Sequence, residues 1–168
     1  MKEFLEKLAS YHLFNYLLPG VLFVFLADKF INLDLYQADI VFGLLLYYFI
    51  GLVISRIGSL ILEPFLRRLK FVVFADYKDF VSASKIDPKI EQILEANNMY
   101  RTLFTLFLVL ILMKLYKLIE ASIHFVAIWD EYLVIGILFF IFLFAYKKQS
   151  QLISERVKAN KQTKKTKQ

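Results

Sequence analysis

The chain has 168 residues, and its 21 lysines and arginines against 15 aspartates and glutamates give a formal net charge of +6. Hydrophobic residues make up 59% of it, whereas soluble domains are nearer ~45–50% apolar, and a chain this short cannot hide several long apolar blocks from water. The absence of cysteine excludes a disulfide framework and a thiolate metal site. The composition therefore predicts an all-α integral membrane protein rather than a soluble helical bundle.

Four apolar blocks predict four transmembrane helices, because each approaches or exceeds the roughly 17–25 residues needed to cross ~30 Å of hydrocarbon. The blocks are Tyr11–Ala27, Ile40–Leu62, Leu103–Ile119 and Phe125–Tyr146. They divide the chain into an interfacial amphipathic helix, a first transmembrane hairpin, a helical basic loop between helices 2 and 3, a second transmembrane hairpin and a basic tail. The corresponding residues are 1–10, 11–62, 63–101, 102–146 and 147–168.

The basic residues predict how these helices are oriented. The N-terminal tail holds two of them, the connection Pro64–Arg101 seven, and the tail from Lys147 onward eight, while Arg56 lies inside a block. The remaining three are Lys29, Lys114 and Lys117. Because basic residues collect on the cytoplasmic side of a membrane protein, we expect both termini and the 63–101 loop to be cytoplasmic.

The first block carries Asn15, Pro19 and Gly20 in its middle. Proline removes a backbone donor and the adjacent glycine loosens the turn, so these residues predict a helix kink near Pro19. Asp28 and Lys29 follow the block without the small-x-small pattern of a signal cleavage site. We therefore expect the block to remain as a membrane helix.

The second block contains a line of small residues and a charge. Gly51, Ser55 and Ser59 are spaced by four, which lets another helix approach closely, within the protomer or between protomers. Arg56 lies beside them in an apolar run, where a charge is costly unless it is paired or faces water. Its candidate partner is Glu63, about 10 Å further along the axis. A bond from Arg56 to a neighbouring helix or to the Glu63 of another protomer is therefore easier than one within the helix. Two interpretations of Arg56 stay open: it lines a pore or a lipid-phosphate pocket, or its side chain reaches the cytoplasmic headgroups.

The connection after the second block is expected to form two helices. One covers Arg67–Ala83, where apolar and charged residues alternate with a helical period, and the other runs from Asp87-Pro88 to Asn97-Asn98. The first interleaves cations with aromatic residues, at Arg67, Arg68, Lys70, Phe71, Phe74, Tyr77 and Lys78. This pattern suits anionic lipid headgroups, and it also suits a nucleotide or single-stranded nucleic acid, whose bases stack and whose phosphates pair with arginine.

Patterns of known catalytic sites are missing. The sequence has no glycine-rich phosphate loop, no HExxH motif and no Ser-His-Asp order. Its two histidines, His12 and His124, are expected near opposite membrane faces, and no carboxylates are paired at helical spacing inside an apolar block. We therefore expect neither an enzyme nor a cofactor or metal site.

Two short motifs carry a resemblance to a known family: Asn15-Tyr-Leu-Leu-Pro-Gly20, and Ser55-Arg56-Ile-Gly-Ser59 closing on Glu63-Pro64. With two helical hairpins, a basic loop and a lysine-rich tail, the chain resembles small prokaryotic membrane effectors encoded beside anti-phage defence genes, and among them the membrane component of the Hailong system. The resemblance implies an oligomeric ion channel of the inner membrane whose opening depolarises the infected cell. It also implies a nucleotidyltransferase partner whose DNA oligomers bind the cytoplasmic side and hold the channel shut.

Carried onto this chain, the resemblance implies two sets of site residues. The candidate pore or interprotomer residues are Gly51, Ser55, Arg56, Ser59 and Glu63. The candidate polyanion-binding residues are Arg67, Arg68, Lys70, Lys78, Lys85 and Lys89. The expected partners are further copies of the chain, membrane lipids and a DNA oligomer or nucleotide. The competing hypotheses are a non-conducting anchor or scaffold, which recruits a soluble partner through the loop and tail, and a lipid-binding helper.

Overall fold

The computed structural model describes residues 12–120 and 130–165. Within these residues the secondary structure is helical and contains no strand, as the all-α prediction requires. The helices are α1 (Leu13–Ile31), α2 (Ile40–Arg68), α3 (Tyr77–Ser84), α4 (Lys89–Glu120) and α5 (Asp130–Lys165). The interfacial helix expected over residues 1–10 lies outside the described residues.

Three helices among the described residues are long and apolar enough to cross a membrane, and they cover Leu13–Ile31, Ile40–Arg68 and Lys89–Leu118. At 1.5 Å per residue, the 19 residues of the first span about 28 Å, close to the thickness of the hydrocarbon core. The 29 residues of the second span about 44 Å and so extend beyond it. The fourth expected crossing, Phe125–Tyr146, begins outside the described residues and stays a prediction.

Two glycines let α1 and α2 pack closely. A Cβ atom added to Gly20 would overlap the carbonyl oxygen of Tyr47, and one added to Gly51 would overlap that of Tyr16. Because a side chain on either glycine would collide with the facing backbone, Gly51 serves the packing of α2 on α1 within one chain. The buried core beside this crossing comprises Phe23, Val24, Ala27, Ile31, Ile54, Leu106 and Leu110.

The first two helices each contain a wide π turn just before a proline. Leu13–Leu17 form one before Pro19, and Gly58–Leu62 form the other before Pro64. Proline has no N–H and its ring crowds the carbonyl one turn back, so a turn with i→i+5 hydrogen bonds relieves the crowding. An irregularity is therefore present where the sequence predicts a kink, with Asn15 buried in it, although the bend itself stays a prediction.

The connection after α2 differs from its expected form. The helix expected over Arg67–Ala83 is wrong, because α2 ends at Arg68 and helix resumes only at Tyr77. Lys70 has a left-handed backbone with a φ of 56°, and the N–H groups of Lys70 and Phe71 bond back to carbonyls of the last turn at 3.0 Å. These bonds form a Schellman cap, which ends the helix here without the glycine that usually marks one.

The next helix starts where the sequence predicts but does not stop there. The Lys89 N–H donates to Asp87 Oδ1 at 2.9 Å, which confirms the predicted start at Asp87-Pro88. The stop expected at Asn97-Asn98 is wrong, because α4 continues through both asparagines to Glu120. One continuous helix therefore joins the basic loop to the third apolar block.

At the opposite end of the bundle, α4 caps α1. The Lys114 ammonium donates to the carbonyl oxygen of Phe30 at 2.7 Å, and that of Lys117 donates to the carbonyl of Ile31 at 2.9 Å. These carbonyls belong to the last turn of α1, where backbone partners run out and the helix dipole favours a cation. Two of the three basic residues on the expected outer side thus have a structural role.

Candidate functional site

A glutamate near the end of α2 connects three helices. Glu63 Oε2 lies 2.5 Å from Arg101 Nη1 of α4, and its Oε1 lies 3.4 Å from Lys148 Nζ of α5. The side chains of Glu63, Arg101 and Lys148 are 16%, 20% and 34% exposed, so solvent screens these ion pairs only in part. We call these three residues the charged junction.

Lys148 also completes the backbone hydrogen bonding of α2. Its Nζ donates to the Ser59 carbonyl oxygen at 2.7 Å and lies 2.9 Å from Ser59 Oγ. In the π turn, the Glu63 N–H donates to the Gly58 carbonyl, and the next residue, Pro64, has no N–H to offer. The Ser59 carbonyl therefore lacks its following backbone donor, and the lysine ammonium takes that place.

Two threonines and a glycine bring α4 against α2 beside the junction. Thr102 and Thr105 are fully buried, and each hydroxyl donates to the carbonyl one turn back in α4, at 2.9 and 2.7 Å. Thr102 Oγ1 also lies 3.3 Å from Ser55 Oγ. A Cβ atom on Gly58 would lie 2.5 Å from Thr105 Oγ1. Glycine at this position thus allows the close approach that carries Arg101 to the junction.

The junction and its surroundings hold more positive than negative charge. Arg56, which is half-buried on α2, and Arg101 both act electrostatically on Lys148. Burial lowers the pKa of Lys148; Glu63 opposes this shift, and the two arginines add to it. Three cations therefore stand against one carboxylate, an arrangement that favours the approach of an anion.

A groove with a volume of about 930 Å³ lies between α2 and α5, beside the junction. Its apolar walls are formed by Leu60, Ile61, Ile137, Phe140, Ile141 and Phe144. Its basic lining is formed by Arg67, Arg68, Lys147 and Lys148. We call this feature the α2–α5 groove. Its walls can contact hydrocarbon, and its basic residues can contact an anionic group.

The residues predicted to form a pore or an interprotomer face mostly contact helices of their own chain. Gly51 packs on α1, Ser55 on α4, and Ser59 on α5. Within the chain, Glu63 pairs with Arg101 and Lys148. A contact of Arg56 with the Glu63 of another protomer stays a prediction. A role of these residues in a pore stays a prediction.

The six predicted polyanion-binding residues are exposed and lie in the connection from α2 to α4. They are Arg67, Arg68, Lys70, Lys78, Lys85 and Lys89. The Arg67 guanidinium lies over the Phe74 ring, 5.4 Å from its centroid, so this cation and this aromatic ring of the connection contact each other. Because the connection joins the end of α2 to the start of α4, the structure places all six residues at one end of the bundle.

Arg101 and Lys148 are residues of this site that the sequence did not single out, and Gly58 entered only as part of the Ser55–Ser59 motif. A signal exists for Arg101, since it directly precedes an apolar block whose first turns contain Thr102 and Thr105. No comparable signal exists for Lys148, which follows another lysine after an apolar block. Only the packing of α5 on α2 distinguishes these two lysines.

Neither a family model, nor a characterised protein, nor a solved structure matches this chain. The resemblance to defence effectors therefore stays a hypothesis. The charged junction, the α2–α5 groove and the basic connection are the features of this chain that bear on its function.

Proposed function

We propose that the chain is an oligomeric membrane channel or pore-forming effector whose opening depolarises the cell in anti-phage defence. In this proposal it is a multi-pass inner-membrane protein with both termini in the cytoplasm, gated at its basic face by a nucleotide or DNA oligomer. The observation that carries the proposal is the charged junction together with Arg56. Arg56 lies inside an apolar block, where an ionisable side chain is costly and typically marks an ion pathway or a ligand site. The charged junction lies just beyond the end of the same block.

Ligand gating is supported by the fact that α2 and α4 each carry residues of both the charged junction and the basic connection. Arg67 and Arg68 follow Glu63 on α2, and Lys89 precedes Arg101 on α4 by about three turns. A polyanion bound across both helices would hold their ends at one separation. If that separation differs between open and closed states, the ligand shifts the equilibrium between them.

The conducting pathway in this proposal lies between protomers. Gly51, Ser55 and Ser59 already pack against helices of their own chain. Arg56 is half-buried, and it is the residue of the predicted set best suited to line a pore around a symmetry axis. A ring of arginines would favour anions over cations.

Conductance of the purified protein in planar bilayers tests this proposal. We expect Arg56→Gln to remove most of the current or to change its ion selectivity, without changing the oligomer mass measured by light scattering. Arg156→Gln is the matched control, because Arg156 is exposed on α5. A wild-type protein that stays non-conducting with and without an oligonucleotide would refute the channel.

Binding of a fluorescent oligonucleotide tests the gating separately. Arg67→Glu with Arg68→Glu should weaken binding, because phosphate contacts dominate affinity for nucleic acid. The same change at Arg156 should have little effect. Unchanged binding by the double variant would eliminate this surface as the ligand site while leaving a channel of another kind.

A non-conducting anchor or scaffold is the second candidate, and the packing of the small residues favours it. Because Gly51, Ser55 and Ser59 are covered within one chain, oligomerisation is not needed to bury them. An anchor predicts that Arg56→Gln alters only abundance, and that overexpression leaves the membrane potential unchanged. Recording the membrane potential with a voltage-sensitive dye, in cells that express the wild type or Arg56→Gln, separates the two candidates.

A further inference from the structure

We infer that the α2–α5 groove binds one anionic phospholipid, with its phosphate at the basic lining and acyl chain along the apolar walls. The inference concerns a site distinct from any pore and holds for a channel and for an anchor alike. It rests on the shape, the apolar walls and the one-sided charge of the groove.

The walls of the groove expose large apolar side chains. Ile61 on α2 is 62% exposed, and Phe140 and Phe144 on α5 are 55% and 52% exposed. The two phenylalanine rings stack with centroids 6.5 Å apart, so one wall is a continuous aromatic surface. Hydrocarbon packed against this surface would make dispersion contacts that water does not provide.

The charge of the groove is distributed as an amphiphile requires. On α2 the groove lining changes from apolar at Leu60 to basic at Arg68, and on α5 from apolar at Ile137 to basic at Lys148. The change runs in the same chain direction on both helices. These steps correspond to rises of about 12 and 16 Å along the two helices. Because α2 and α5 both lead toward the basic connection, the cationic ends coincide. A molecule with a charged head and an apolar tail matches this polarity.

The charged junction holds one end of the groove in place. Lys148 is bound to Glu63 and to Ser59, so its position is set before any ligand arrives. Arg68 and Lys147 are exposed and available to a phosphate, which arginine and lysine both bind well. A nucleotide would also contact these cations, but it would leave the apolar walls uncovered. Charge and shape together therefore favour an anionic lipid.

Native mass spectrometry of the detergent-solubilised protein tests the site. Phosphatidylglycerol and phosphatidylcholine with the same acyl chains are added in turn, and the bound copies are counted. We expect a preference for phosphatidylglycerol, since each lysine or arginine near a headgroup contributes about fivefold. Arg68→Gln with Lys147→Gln should remove most of this preference. Arg156→Gln with Lys158→Gln, two exposed positions on α5 beyond the groove, should retain it.

A second pair of variants tests the apolar walls. Ile137→Trp fills the groove, whereas Ile135→Trp adds the same bulk two residues away; both isoleucines are exposed, and only Ile137 lines the groove. We expect Ile137→Trp alone to reduce the binding of either lipid. Equal binding of both lipids by the wild type, or equal effects of the paired variants, would overturn the inference. An oligonucleotide added in the same measurement would also overturn it, if Ile137→Trp reduced the binding of the oligonucleotide and left the binding of both lipids unchanged.

Discussion

Removing the carboxylate of the charged junction is the sharpest test of the structure. Glu63→Gln leaves Arg101 and Lys148 partly buried without their negative partner, while the amide keeps similar volume. Breaking a fully buried ion pair costs about 3–5 kcal/mol, and an exposed pair is worth at most about 1 kcal/mol. With side chains 16–34% exposed, we expect a loss of about 2 kcal/mol in the free energy of unfolding.

For a chain of this length, that loss lowers the melting temperature by about 4–8 °C. Circular dichroism at 222 nm in a mild detergent measures it, with Glu95→Gln as the control because Glu95 is an exposed carboxylate on α4. Adding Arg101→Gln should cost less in the Glu63→Gln background than in the wild type. Equal melting temperatures for the Glu63 and Glu95 variants, together with strict additivity, would refute the junction as a stabilising contact.

Three further changes test other contacts. Gly51→Ala should separate α1 from α2 and lower the melting temperature clearly, whereas Gly136→Ala, with open space around its Cβ, should not; an equal effect would contradict the close crossing. Lys148→Met should lower the melting temperature more in the wild type than in a Pro64→Ala background, where the new N–H of residue 64 can donate to the Ser59 carbonyl. The melting temperatures of the wild type, the two single variants and the double variant give this coupling. Lys117→Met should cost about 1 kcal/mol by removing one of the two lysines that cap α1, and amide hydrogen exchange at the end of α1 measures the local effect.

The helical fold and the three helices long and apolar enough to cross a membrane follow from local sequence. The long apolar runs favour helices, because in an apolar bilayer a helix satisfies its backbone hydrogen bonds within a single segment. The start of α4 is local too, since Asp87 and Pro88 act on the turn beside them. The basic connection is also visible, because its charges are counted directly from the sequence.

Two local signals, the helical periodicity after Arg68 and the asparagine pair at Asn97-Asn98, led to wrong predictions of helix ends. The segment after Arg68 has helical periodicity, yet the Schellman cap at Lys70 ends the helix although lysine is not favoured in a left-handed backbone. Asn97 and Asn98 are weak helix formers, yet α4 continues through them into Thr102, which packs against α2. In α4, this packing outweighs propensities worth only tenths of a kcal/mol per residue. At Lys70, by contrast, local backbone hydrogen bonds end α2.

The sequence by itself determined that this is a helical protein with long apolar segments, where three helices that could cross a membrane lie and where its basic residues collect. It did not determine the partners of Glu63, because Arg101 and Lys148 are 38 and 85 residues away along the chain. Periodicity and capping act over one or two turns, whereas these ion pairs arise only once the helices have packed. Tertiary structure alone brought them together, since Gly58 lets α4 approach and Pro64 leaves the carbonyl that Lys148 binds.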